Sequence, residues 1–198
     1  MALNENDWFD MKFEYMHCLF FTTLLGFIDL STSEEFPYNI VSVIKRGGHG
    51  IVFKGRSDFD SNQCVAIKAE ESRISDKLLN EYLIYSDLKG GKGIPNTFWF
   101  GVADLNYTKE RKVQSNVLVM ELLGPDIESL FCKQGGYFSL KTVLMLAEQF
   151  LNRVEYLHKK NYVHRDLKPH NFLMGTGESG TTVYLADFGV TKRYNPKM

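Results

Sequence analysis

Eight consecutive residues, His164-Arg165-Asp166-Leu167-Lys168-Pro169-His170-Asn171, put a carboxylate, an ammonium and an amide within one short loop. The chemistry they could do is phosphoryl transfer. The carboxylate of Asp166 can meet a hydroxyl that attacks the γ-phosphate of ATP. The ammonium of Lys168 can neutralise the charge that develops on that phosphate. The amide oxygen of Asn171 can hold a magnesium ion beside them. A polar loop kept only for solubility has no reason to carry these groups in this order.

A second segment supplies the other side of such a site. Asp187-Phe188-Gly189 follows Val183-Tyr184-Leu185-Ala186, which reads as a short buried strand. A carboxylate at a strand end can reach the magnesium from the opposite side, and the glycine lets the backbone turn after it. Alone the triplet is an ordinary strand-to-turn sequence; its place after Asp166 gives it meaning. Upstream, Val65-Ala66-Ile67-Lys68 is an apolar strand with one lysine. An inward lysine is costly unless paired. Its candidate partner is Glu81 in the segment 77–89, with Tyr85 four residues on and on the same helical face. By itself Lys68 would be an edge-strand lysine.

Glycines complete the pattern. Ile44-Lys45-Arg46-Gly47-Gly48-His49-Gly50-Ile51-Val52 follows a glycine-rich phosphate loop, except that Lys45 stands where the first glycine belongs. Gly47 and Gly50 keep the other two positions, and Gly48 adds flexibility. Glycines there let backbone N–H groups approach phosphate. A hairpin turn without a ligand would also carry them.

Together these segments resemble the protein kinases. More specific runs are Gly90-Gly91-Lys92-Gly93-Ile94-Pro95, Val119-Met120-Glu121-Leu122-Leu123-Gly124-Pro125, Phe138-Ser139-Leu140-Lys141-Thr142-Val143-Leu144 and Pro169-His170-Asn171-Phe172-Leu173-Met174-Gly175. They resemble the casein kinase I family of serine/threonine protein kinases over residues 38–194, and the vaccinia-related kinases less well. The resemblance implies an α+β, bilobal protein-kinase-like fold. It has a complete N-lobe of antiparallel sheet plus one helix, and an incomplete, mainly helical C-lobe. It implies ATP and Mg2+ as cofactors. Asp166 and Lys168 would be catalytic, and Asn171 and Asp187 would be the metal ligands. Lys68 would meet the phosphates and pair with Glu81, under a loop carrying Ile44, Gly47 and Gly50. Met120 would be the gatekeeper, Glu121 and Leu123 would offer backbone groups to the adenine, and the ring would lie between Leu173 below and Val52 and Ala66 above. The partners implied are protein substrates, acidic or already phosphorylated ones included.

Composition agrees with a globular domain: 44% hydrophobic residues and a net charge of −1 in 198 residues. That balance gives no pull toward nucleic acid or anionic membrane, so no nucleic-acid partner is expected. Cys18, Cys64 and Cys132 lack metal-ligand spacing and cannot all pair. They read as reduced thiols of an intracellular protein, in cytoplasm, nucleus or both.

The elements that must position these residues follow from the pattern. Residues 38–45, 51–56, 64–69, 98–102 and 117–121 read as strands, and 103–116 as an extended surface loop. Asp76 is a candidate cap for the helix carrying Glu81, and Asp126 for a short helix to Phe131. Ser139 opens the clearest helix. Leu140, Val143, Leu144, Ala147, Phe150, Leu151, Val154 and Leu157 recur at helical spacing, and this face is expected to form the core of the C-lobe.

The expected organisation is an N-terminal extension (1–36), the N-lobe and hinge (37–123) and a truncated C-lobe (124–198). The extension is acidic at its start. Its apolar stretch, residues 18–28, is short for a bilayer span, so an extension that packs as a helix or stays mobile is the first reading, and membrane association or an alternative first exon the lesser one. Residues 190–198 leave no room for an activation segment and the helices that follow it. Two classes therefore stand: an ATP-dependent serine/threonine kinase, and a catalytically impaired fragment that binds nucleotide or a partner. On the sequence alone the 198-residue chain is expected to phosphorylate proteins poorly, and apolar surface on the helix after Ser139 is expected to lie uncovered.

Overall fold

The computed structural model describes residues 36–47, 50–71, 77–106 and 112–194. The chain divides into two compact units, Met1–Pro37 and Tyr38–Met198. The readings placed on residues 1–35, on Gly48 and on Asp76 lie outside the described residues.

Five strands form the smaller lobe: β1 (Tyr38–Gly47), β2 (Gly50–Ser57), β3 (Cys64–Glu71), β4 (Thr97–Asn106) and β5 (Lys112–Glu121). They make one antiparallel sheet in the order β1-β2-β3-β5-β4. Alternation along β3 sorts the side chains. Val65, Ile67 and Ala69 are fully buried on one face. Ala66 and Lys68 lie on the other, opposite Met120 and Leu118 of β5. Helix α1 (Lys77–Leu88) buries Leu78, Glu81, Ile84, Tyr85 and Leu88, at the spacing of one helical face.

One expectation for this lobe is corrected. Residues 103–106 and 112–116 are not surface loop but paired strand, with Ala103 opposite Ser115 and Asn106 opposite Lys112. Alternation explains it: Ala103 and Leu105 turn inward and are buried, whereas Asp104 and Asn106 face water. Of the charges that suggested a loop, Asp104 and Lys112 belong to the strands' solvated side.

The larger lobe begins with α2 (Ile127–Lys133), then α3 (Leu140–Lys159), and strands β6 (Tyr162–Val163), β7 (Phe172–Met174), β8 (Val183–Leu185) and β9 (Lys192–Arg193). Both helices start at capping side chains. Asp126 accepts from the Ser129 N–H at 2.9 Å, and Ser139 from the Thr142 N–H at 3.1 Å. Strand β7 pairs with β8, and β6 with β9.

The inward face of α3 is only in part the expected one: Ala147, Phe150, Val154 and Leu157 lie inward, and the rest of the stripe does not. Leu140, Leu144 and Leu151 are 74%, 61% and 70% exposed, and Val143 is exposed as well. The helix's core-facing side keeps Phe150, Val154 and Leu157 of that stripe and adds Leu146, Gln149 and Arg153. Two of these are polar because a short strand must be satisfied there. Gln149 accepts from the Val183 N–H at 2.8 Å, and Arg153 Nε donates to the Val183 carbonyl at 2.8 Å. A strand end buried without partners would forfeit these hydrogen bonds. Phe150 stacks on Phe172 of β7 with centroids 4.1 Å apart. The helix thus grips both strands that frame the candidate site. The exposed apolar face expected from the sequence is present beside the buried one.

Candidate functional site

The catalytic-type loop hangs between β6 and β7, and its shape is set by His164. That ring is 1% exposed. The Asp166 N–H donates to Nδ1 at 3.3 Å, so the ring proton belongs on Nε2, which lies 3.1 Å from the Ala186 carbonyl. Burial lowers the His164 pKa and keeps the ring neutral, as this pattern requires. His164 therefore ties the loop to the residue that precedes Asp187. Arg165 and Asp187 both adopt left-handed backbone, with φ of 66° and 65°. Such non-glycine residues carry strain on the order of 1–3 kcal/mol and persist only where their surroundings hold them.

Asp166, Lys168 and Asn171 converge. Lys168 Nζ is 2.6 Å from Asp166 Oδ2. Asn171 Nδ2 donates to the Asp166 carbonyl at 2.8 Å and to Oδ2 at 3.1 Å. One carboxylate oxygen is thus fixed, and Oδ1 is left to meet another group. The Lys168 hydrogen bond lowers the Asp166 pKa, so the group is an ionised acceptor at neutral pH.

A second cluster faces it. Lys68 Nζ lies 2.6 Å from Glu81 Oε2 and 2.9 Å from Asp187 Oδ1. Burial would lower the Lys68 pKa, but the two carboxylates outweigh it and raise the pKa, so the lysine stays charged. Burial pushes Glu81 up, and Lys68 pulls it back. Asp187 goes down: its partial burial is overcome by Lys68. Gly189 sits beside both acids, and a Cβ there would stand 3.4 Å from Glu81 Oε2. Tyr85 is held neutral, mainly by burial, and its hydroxyl accepts from the Asp187 N–H at 3.2 Å. Phe188 is fully buried between Tyr85 and His164, with ring centroids at 4.8 and 5.3 Å.

The remaining predicted residues frame the cleft. Val52 pairs with Lys68, and Ala66 with Met120. The chain after Glu121 runs back along β7: Gly124 N–H donates to Met174 O at 2.8 Å, and Met174 N–H to Pro125 O at 3.0 Å. That pairing, with a bridge between Asp126 and Leu173, sets β7 alongside the residues that follow Leu123. Ile44 is exposed on β1, at the bulge between the Val43–Phe53 and Lys45–Val52 pairs. Gly47 pairs with Gly50 across the turn. Gly50 has a reason of its own. Its φ is 109°, and a Cβ would meet the Ala69 carbonyl at 2.2 Å.

Three features escaped the sequence reading. Glu121 does more than connect the lobes: its Oε2 accepts from Asn96 N and Nδ2 at 3.2 and 3.1 Å, and its own N–H donates to Asn96 O. The direct Lys68–Asp187 contact joins residues 119 positions apart. The hydroxyl of Tyr162 reaches Asp87. Nothing local in the sequence signals any of them.

The protein kinase domain family model matches residues 38–198. The chain belongs to the protein kinase family. The fold agrees, with a five-stranded lobe carrying one helix joined to a mainly helical lobe. Kinase domains of this family transfer phosphate from magnesium-bound ATP to protein substrates. The donor set of this kinase domain suits that cation. Asn171 spends its NH2 on Asp166, which leaves a carbonyl oxygen, and Asp187 is a carboxylate with only one oxygen on Lys68. Hard oxygen donors suit magnesium, which usually takes one or two of them with phosphate and water. Among the described residues no cluster of three or more His, Cys, Asp or Glu side chains forms a cage without phosphate. No described helix is long and apolar enough to cross a membrane.

Proposed function

We propose that the chain is a serine/threonine protein kinase of casein kinase I type. Residues 37–123 would act as the nucleotide-holding lobe and 124–198 as the catalytic one. The observation that carries this reading is the convergence of Asp166, Lys168 and Asn171 opposite Lys68, Glu81 and Asp187. In this reading Asp166 Oδ1 receives the proton of a Ser or Thr hydroxyl as its oxygen attacks the γ-phosphorus. The bond to the β-phosphate oxygen breaks as the new one forms. Lys168, anchored on Asp166, is placed to meet the charge of the transferred group. Lys68, oriented by Glu81, holds the phosphates behind it. Asn171 Oδ1 and Asp187 would hold magnesium, which neutralises phosphate charge when bound. Glu121 spends its N–H on Asn96, so its carbonyl is the group left for an adenine edge, with Leu123 beside it. Met120, Ala66, Val52 and Leu173 would enclose the ring, below the Ile44–Gly47–Gly50 hairpin. Serine/threonine specificity, a taste for acidic or phosphorylated substrates and an intracellular location rest on the sequence resemblance.

The test measures nucleotide binding and phosphate transfer to an acidic serine peptide. Asp187→Asn is expected to lose the magnesium-dependent part of ATP affinity, and Asp166→Asn to keep affinity and lose transfer. ATP affinity unaffected by either magnesium or Asp187→Asn would overturn the reading. A second reading, nucleotide or partner binding without transfer, draws on the exposed apolar face of α3.

A further inference from the structure

The last turn of α1 is held from the larger lobe by two tyrosine hydroxyls. Tyr156 of α3 donates to the Leu88 carbonyl at 3.1 Å, one of the carbonyls a helix leaves unpaired at its end. Tyr162 of β6 donates to Asp87 Oδ2 at 2.6 Å. The second contact is unusual for its acceptor. An acid in a last helical turn faces the negative end of the helix dipole, and α1 has no basic residue there to offset it. Asp87 therefore opposes the helix unless a donor meets it, and the donor present comes from the other lobe. A short hydroxyl–carboxylate bond is charge-assisted.

Tyr162 has a third neighbour. It pairs with Arg193 of β9, whose guanidinium lies 5.9 Å from the centre of its ring. Residue 193 follows Asp187-Phe188-Gly189 by a few positions, and Tyr162 itself stands two residues before His164. One ring thus touches the helix that carries Glu81 and the strand that leaves Asp187, at the entrance to the catalytic-type loop. Burial, followed by Asp87, pushes the Tyr162 pKa up to about 12, so the hydroxyl keeps its proton throughout the neutral range.

We infer that Tyr162 is a positioning residue that holds α1 through Asp87, so that Glu81 stays on Lys68 while residues 192–193 are paired against the ring. Its consequence for phosphate transfer rests on the function proposed above. The link itself does not, because its direct effect is on Lys68. That ammonium is buried against Glu81 and Asp187, with its side chain 13% exposed. If the end of α1 loosens, Glu81 withdraws part of the time and the amine becomes reachable.

The experiment labels the intact chain with an amine-reactive reagent and follows Lys68 by mass spectrometry, with exposed Lys159 as the internal standard. Hydrogen exchange of the α1 amides is read in parallel. Tyr162→Phe removes only the hydroxyl, and Asp87→Ala alters an exposed residue, so both variants are expected to fold. Tyr162→Phe, which leaves Asp87 opposing the helix without its donor, should raise Lys68 labelling about five- to tenfold and speed exchange at residues 82–88 by a similar factor; Asp87→Ala, which removes the bond and the opposing charge together, should raise both by a smaller factor. The double variant should do no more than either single one, because both remove the same bond. Unchanged Lys68 labelling or unchanged α1 exchange in the two single variants would overturn the inference, as would additive effects in the double. Loss of a cap or of general stability would not single out Lys68. Magnesium-ATP affinity of the parent chain is measured separately. If it is absent, the proposed function fails while Lys68 labelling still decides the role of Tyr162.

Discussion

Replacing Lys68 with methionine tests the electrostatics of the site in isolation from catalysis. The substitution keeps most of the side chain's length and removes its charge. It strands Glu81, which is 1% exposed and whose Oε1 already lacks a hydrogen-bond partner. Removing one member of a buried ion pair costs about 3–5 kcal/mol. Part of that is avoided if Glu81 takes up a proton, and this makes the cost depend on pH. In the parent protein Lys68 opposes the rise that burial imposes on the Glu81 pKa. Without Lys68 the pKa rises further. A folded carboxyl with a raised pKa binds more protons than the unfolded chain, so stability falls as pH rises above the ordinary glutamate value of 4.5. Asp187 acts in the same direction. Lys68 holds its pKa down, and that contribution, present in the parent above pH 3.8, is lost in the variant. It adds less, because Asp187 is half-exposed and screened. The penalty of Lys68→Met is therefore expected to be about 1–2 kcal/mol near pH 4.5, where the hydrogen bonds to Glu81 and Asp187 are lost, and about 3–4 kcal/mol at pH 7.5. Urea denaturation of both proteins across that range measures it. A penalty that stays flat or shrinks as pH rises would refute the argument, and with it the claim that Lys68 opposes the effect of burial on Glu81.

Gly50→Ala should destabilise the chain by about 2 kcal/mol in urea denaturation, because it forces a Cβ against the Ala69 carbonyl at a positive φ. The same change at Gly47, where a Cβ meets nothing within 4 Å, should cost well under half as much. Asp126→Ala should cost about 1 kcal/mol through loss of the α2 cap, with no change in ATP affinity. Magnesium-ATP at about 100 times its dissociation constant should add ~2.7 kcal/mol of stability to the parent, and Asp187→Asn should reduce that gain.

The site was legible because its chemistry is local. Asp166, Lys168 and Asn171 occupy one loop, so their convergence could be expected from their order, and the roles proposed for them rest on that order. Lys68 was legible for a different reason: a lysine on an apolar strand demands a partner, and Glu81 lies on the next helix. The contact with Asp187 was not, because only the closing of the two lobes brings residues 119 apart together. The sheet was legible from apolar runs, yet β4 and β5 were read too short. A strand whose outer face is wet looks like a loop when its charges are counted without their alternation.

Helix α3 marks where periodicity alone runs out. Its length and its Ser139 cap were plain, and its strongest apolar stripe pointed to a core. The structure keeps Phe150, Val154 and Leu157 of that stripe inward but sets Gln149 and Arg153 beside them, because β8 needs donors and acceptors as much as it needs apolar contact. Gln149 and Arg153 supply them at one residue, Val183, two positions from the end of the strand that leads to Asp187. A hydropathy pattern scores these two side chains as surface, since it has no knowledge of which backbone groups will be buried nearby. Their burial is the cost of holding a three-residue strand in place, and that strand sets where the carboxylate of Asp187 stands relative to Lys68. The polar residues that the pattern discounts are therefore the ones through which α3 holds β8, as the apolar Phe150 holds β7.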